Sequence, residues 1–184
     1  MAAPEAACVL YFDDEAAPAL RLAQAAGVTA QAIERHRFPD GELKLRLPVD
    51  ATGRLPKHAV LLRSLYQPNE KLVELLLAAR TARSLGAYHL TLVAPYLAYM
   101  RQDIAFHPGE AVSQQVVGGF LAGLFDAVVT VDPHLHRIDR LEAALAGGGA
   151  APVPAAPAIP QAPVPPAEPP RADPVASPPP SPGR

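Results

Sequence analysis

Between Thr91 and Glu110 the chain reads TLVAPYLAYMRQDIAFHPGE. Thr91 to Pro95 has the run of a buried strand, and the loop after it gathers Tyr96, Tyr99, Arg101, Gln102, Asp103, His107 and Glu110. Arg101, Gln102 and Asp103 offer one fixed cation, one amide and one carboxylate side by side. That set can hold a phosphate, the edge of a nucleobase or a metal-bound water. The plain alternative is a solvated surface loop. Its place after a strand favours chemistry, because ligands of open α/β sheets bind beyond the carboxyl ends of the strands.

A second loop of the same kind follows. The strand expected over Ala127 to Val131 runs into Asp132-Pro133-His134-Leu135-His136-Arg137. Alternate residues of an extended segment point the same way, so Asp132, His134 and His136 are possible metal ligands. The alternative keeps one histidine hydrogen-bonded in the core and the other in solvent. A zinc hydrolase would need a further ligand cluster, whereas His36, His58, His89 and His107 are scattered along the chain. His89 moreover begins a strand, at the opposite end from the site. A third stretch, Arg37-Phe38-Pro39-Asp40-Gly41-Glu42, has the composition of a tight turn. Its large aromatic, flanked by Arg37 and Glu42, can also hold a planar base.

The elements that must position these loops alternate along the chain. Ala7 to Phe12 reads as a buried strand. A helix follows with Pro18 in its first turn, an apolar stripe of Leu20, Leu22, Ala23 and Ala26, and Gly27 as its stop. Thr29 to Phe38 and Glu42 to Leu47 are expected to form a hairpin, the second strand alternating strictly with Leu43, Leu45 and Leu47 on one face. His58 to Leu65 gives a further strand. Asn69 is the expected N-cap of a helix that carries Leu72, Leu75, Leu76, Ala79 and Ala82 at helical spacing and ends at Gly86. After the strand Thr91 to Pro95 comes a helix capped by Ser113, with Val116, Val117, Phe120, Leu121 and Leu124 toward the core. Gly118 and Gly119 inside it each cost about 1 kcal/mol relative to alanine. Strands alternating with helices specify an α/β fold with a mainly parallel sheet flanked by helices.

Composition bounds the rest. The chain has 184 residues and a formal net charge of −2, so no global field favours nucleic acid or an anionic membrane. Cys8 is the single cysteine, which excludes a disulfide framework. No basic leader or long apolar run is present, and the reading is a soluble, cytoplasmic chain. Residues 1–146 are expected to form one domain, burying roughly two-thirds of its unfolded surface. Residues 147–184 hold 14 prolines in 38 residues, too little apolar surface to offset an ordering cost of about 1–2 kcal/mol per residue. They are expected to be disordered and partly polyproline-II.

Four segments, RFPDGE, APYLAYMRQD, FHPGEAVS and VTVDPHLH, occur in the order and at the separations that resemble ribose-phosphate pyrophosphokinase, the phosphoribosyl pyrophosphate synthetase. The resemblance covers about Val9 to Leu141 and implies the N-terminal, phosphoribosyltransferase-like α/β domain of a two-domain subunit. It implies transfer of the β,γ-diphosphoryl group of ATP to ribose 5-phosphate with magnesium. By motif, Arg101 and Gln102 with Asp103 are the expected ATP-binding residues, Arg101 near the phosphates. His134 would lie against the metal-bound phosphates, with Asp132 shaping that loop. Phe38, Asp40 and Glu42 match a hairpin that reaches into a neighbouring subunit and holds adenine, which implies a homo-oligomer or a full-length homologue as partner. Ile104 and Ala105 stand where the family usually carries basic residues. The tail resembles nothing in the family's second domain, so the chain is expected to be inactive alone, with ribose 5-phosphate a doubtful ligand. The alternatives are a non-catalytic nucleotide-binding partner subunit and a truncated or frameshifted product.

Overall fold

The computed structural model describes residues 7–131 together with Pro133 and Leu141. Five strands form one all-parallel sheet: β1 (Ala7–Tyr11), β2 (Thr29–Ala32), β5 (His58–Leu62), β6 (His89–Val93) and β7 (Ala127–Val129), in the order β2-β1-β5-β6-β7. A separate antiparallel hairpin pairs β3 (Glu34–Arg37) with β4 (Leu43–Arg46). Among the described residues the helices α1 (Ala16–Ala26), α2 (Pro68–Ser84) and α3 (Ser113–Ala122) connect the strands. A single 3-10 turn, Asp13–Glu15, joins β1 to α1.

The period of two along each strand sorts side chains onto two faces. Cys8, Leu10, Phe12, Ala59, Leu61, Leu90 and Leu92 go to the main core with Leu75, Ala78, Ala79 and Ala82 of α2 and Leu121 of α3. Val9 and Leu62 go to the opposite face with Ala19 and Ala23 of α1. Strands buried on both faces have to read as continuous apolar runs, and β1 and β5 do. The expected α/β fold is the one observed.

Several local expectations change. Thr29 to Phe38 is two strands, because buried Ile33 turns the chain out of the parallel sheet and into the hairpin. On α1 the buried positions are Ala19 and Ala23, while Leu20 is exposed; a helix pressed close to a sheet is served by small residues. Asn69 is not the N-cap of α2, which starts at Pro68 after a left-handed Gln67. Proline suits that first position because its missing N–H needs no partner there. Ser113 likewise lies inside α3, after Val112, and Val116 is exposed. Gly27, in left-handed conformation at φ 68°, ends α1 as expected. Among the described residues no helix is long and apolar enough to cross a membrane. The segment expected to be a disordered tail lies outside the described residues.

Candidate functional site

The carboxyl ends of the five strands share one edge, and strand order reverses between β1 and β5, where an open sheet usually parts to admit a ligand. Here that crevice holds charges paired with one another. Arg63 follows β5 and is 1% exposed. Its Nε donates to Glu74 Oε2 at 2.7 Å, and its Nη1 donates to Asp14 Oδ1 at 2.7 Å and to Glu15 Oε2 at 3.2 Å. Arg35 of β3 donates to the other oxygen of Glu74 and, at 2.8 Å, to Asp13. Both guanidinium groups lie over the ring of Phe12, at 4.7 Å for Arg63 and 5.5 Å for Arg35. Burial alone would raise the Asp14 carboxyl, but the hydrogen bond from Arg63 and the charges of both arginines hold it below the usual carboxylate range. The network binds the hairpin, α2 and the sheet edge into one unit.

An open groove of ≈470 Å³ lies one strand over, beyond β5 and β6, lined by Tyr66, Gln67, Pro68, Asn69, Tyr96, Ala98, Tyr99 and Arg101. The two loops that form it are stitched together: Arg63 N–H donates to Val93 O at 2.9 Å and Leu65 N–H to Tyr96 O at 2.8 Å. Gln67 (φ 52°) and Tyr99 (φ 64°) are the non-glycine residues of positive φ among those described, and both line this groove. Such backbone costs of order 1–3 kcal/mol per residue and clusters at functional sites. The Tyr99 hydroxyl donates to Asn69 Oδ1 across the groove, which gives the strained tyrosine a fixed direction.

Of the residues singled out in the sequence, Tyr96, Tyr99 and Arg101 line the groove. Arg101 is exposed and makes no ion pair among the described residues. Gln102 is half-buried and Asp103 buried at 7% exposure, so only the first two of the triplet face outward. His107 and Glu110 sit in an exposed turn, where the Glu110 carboxylate accepts from Phe106 N–H at 2.7 Å; Glu110 braces its own loop. Asp132, His134 and His136 lie outside the described residues.

Phe38, Asp40 and Glu42 are not in this groove. They cap the hairpin on the other side of the first turns of α2. Asp40 Oδ1 accepts from Glu42 N–H at 3.1 Å, and Gly41 takes φ 92°, as a Pro-Asp-Gly turn requires. Phe38 stands on edge against His36, centroids 4.8 Å apart, and is 39% exposed. Arg37 donates to Glu70, which lowers the Glu70 carboxyl. That pair borders a second groove with Gly41, Glu42, Leu43, Val73 and Leu77.

Residues 9–124 match the family model described as the N-terminal domain of ribose phosphate pyrophosphokinase. The chain belongs to the ribose-phosphate pyrophosphokinase family. Its relatives include the ribose-phosphate pyrophosphokinase of Methanopyrus kandleri, 37% identical over 115 residues, covering 62% of this chain and 38% of that protein. That of Halobacterium salinarum is 35% identical over 140 residues, covering 76% and 48%. The crystal structure of phosphoribosylpyrophosphate synthetase from Mycobacterium smegmatis superposes with a TM-score of 0.62 at 26% identity, over 76% of this chain and 46% of the other. The chain thus spans less than half the length of these ribose-phosphate pyrophosphokinases.

Sequence reasoning passed over Tyr66, Gln67 and the Arg35–Arg63–Glu74 network. A signal for the network was present: Glu74 falls four and eight residues before Ala78 and Ala82, on the face of α2 that is buried. A carboxylate at such a position requires a buried cation. For Tyr66 and Gln67, nothing in their types announces a groove.

Proposed function

We propose that this chain provides the ATP-facing half of a diphosphoryl-transfer site, in which the β,γ-diphosphoryl group of Mg-ATP passes to the anomeric hydroxyl of ribose 5-phosphate. The observation that carries this reading is Arg101, an exposed cation with no ion-pair partner among the described residues, beside Gln102 on a groove wall that holds a strained tyrosine. Transfer of this kind asks a protein for positioning and for charge around the phosphates more than for covalent chemistry. Arg101 and Gln102 would donate to the phosphates, and buried Asp103 would shape the loop beneath them. Asp132 and His134 would approach the metal-bound phosphates from the loop after β7.

Among the described residues no group of three or more His, Cys, Asp or Glu could hold a metal ion. Magnesium would come in on the nucleotide, because Mg²⁺ keeps several waters and needs one or two protein carboxylates. When bound it would neutralise part of the phosphate charge. Phe38, Asp40 and Glu42 would serve the adenine of a neighbouring subunit, which agrees with their separation from Arg101 by the first turns of α2. The working unit is then an oligomer of this chain or a pairing with a longer homologue. Ile104 and Ala105 bring no further cation to the triplet, and no ribose-phosphate holder is recognisable among the described residues. This chain by itself should therefore bind Mg-ATP weakly and form no phosphoribosyl pyrophosphate.

Calorimetric titration of Mg-ATP into wild type, Arg101→Ala and His134→Ala tests the binding half. A charge-assisted hydrogen bond is worth about 1.5–3 kcal/mol, so Arg101→Ala should weaken binding about tenfold or more. Equal affinity in all three proteins removes the site assignment. Product formation from both substrates by the purified chain, with no partner added, would overturn the inactivity.

A further inference from the structure

We propose that Ser113 and Gln114, at the start of α3, are positioning residues that hold the Gln102 amide, and Arg101 beside it, for the phosphates of Mg-ATP. The proposal rests on the ATP reading above. An amide side chain is ambivalent: a half-turn of its last torsion exchanges an acceptor oxygen for a nitrogen with two donors. Beside a phosphate only the nitrogen is useful, since an oxygen there would meet oxygen. A neighbour that engages the oxygen leaves the nitrogen for the ligand. The Ser113 hydroxyl donates to Gln102 Oε1 at 2.9 Å, which engages the oxygen and ties the side chain to α3.

The backbone is fixed by the next residue. Gln114 N–H donates to Gln102 O at 3.1 Å, and Gln114 Nε2 donates to Met100 O at 3.3 Å. These two bonds straddle Arg101 and set the carbonyl before it and the carbonyl after it. Gln114 is wholly buried, and its own Oε1 has no hydrogen-bond partner among the described residues. An unsatisfied buried acceptor is costly. A buried glutamine carrying that cost fits a residue retained for what its nitrogen and backbone hold.

The test compares Mg-ATP affinity by calorimetry in wild type, Ser113→Ala, Ser113→Thr, Gln102→Ala, Arg101→Ala and the double variant Ser113→Ala/Gln102→Ala. A typical net hydrogen-bond contribution corresponds to roughly a two- to tenfold change in affinity, and Ser113→Ala should lose about that much. Ser113→Thr, which keeps the hydroxyl, should stay within about twofold of wild type. The double variant should bind no worse than Gln102→Ala, because Ser113 acts through that amide. An independent arm needs no nucleotide: the side-chain amide resonances of Gln102 in ¹⁵N-resolved spectra should shift in Ser113→Ala and return in Ser113→Thr. Resonances that ignore Ser113 overturn its hold on the amide. Full additivity in the double variant overturns the route through Gln102. If Arg101→Ala alone reduces affinity and Ser113→Ala does not, the positioning role fails while the ATP site stands. If Arg101→Ala changes nothing, the site and this proposal fail together.

Discussion

Replacing Glu74 by glutamine should be among the most damaging single-atom changes available to this fold. The side chain is 0% exposed and faces two guanidinium groups, with Arg63 Nε at 2.7 Å and Arg63 Nη2 at 2.6 Å from its Oε2. Removing one partner of a buried ion pair costs about 3–5 kcal/mol, mostly because the other charge is left without compensation. Arg63 would keep Asp14 and Glu15, which places Glu74→Gln at the lower end, about 3 kcal/mol. The new amide also turns N–H groups toward cations, so the surviving contacts are poor. For a domain of this size about 3 kcal/mol corresponds to a fall of roughly 10 °C in Tm. Thermal and urea unfolding followed by circular dichroism gives the measurement. Glu70→Gln is the control, since its partner Arg37 is exposed and surface pairs contribute little. A Glu74→Gln midpoint equal to that of Glu70→Gln would refute the reasoning and show that the network is incidental.

Three further outcomes are expected. Burial would raise the Asp126 carboxyl, but the Leu90 N–H at 2.6 Å and Arg83 at 2.6 Å outweigh it and hold it below the usual range. Its contribution is therefore full above the unfolded carboxyl value of about 3.9 and fades as pH falls through the lower folded value. Asp126→Asn should unfold more easily at pH 7 and lose less stability than wild type on acidification below about pH 4; parallel pH curves would contradict this. Cys8 is 0% exposed and burial pushes its thiol up to about 11, so a maleimide at pH 8 should label it only after unfolding. Labelling of the native chain at the rate of a free thiol would count against that. Phe38→Ala should leave the thermal midpoint nearly unchanged and weaken self-association about fivefold, from roughly 1 kcal/mol of aromatic contact. Sedimentation that finds wild type strictly monomeric with and without Mg-ATP would end the hairpin reading.

The fold was legible because parallel strands buried on both faces leave little choice of residue, and ACVLY and HAVLL announce themselves. Gly27 was legible for a similar reason: a left-handed helix end favours glycine. Boundaries were harder. Nothing local marks Ile33 as the point where one strand becomes two, since the bend is set by where the chain must next pack. Ser113 and Asn69 looked like caps because their side chains can accept from backbone N–H groups. Tertiary partners claimed them instead, Gln102 for Ser113 and Tyr99 for Asn69. Arg101 and Gln102 could be read from their types and neighbours. The groove that Arg101 lines could not, because Gln67 and Tyr99 acquire their backbone conformation only when two loops distant in sequence meet.

The strand order has a consequence for how the chain comes into being. β1 is an interior strand of the sheet, yet one of its two neighbours, β5, is made only after α1, β2 and the whole hairpin, and the Arg63–Asp14 bond that fastens the two spans 49 positions. At about 5–20 residues per second, the ribosome exposes β1 for several seconds before that partner emerges. The hairpin, closing in about 1–10 μs, is complete long before then. Pairing across such a separation is intrinsically slow, so the apolar segment of β1 is the part of the nascent chain most in need of shelter. Slowing translation between residues 38 and 58 should lengthen that exposure, and faster release of the segment through Leu62 should shorten it.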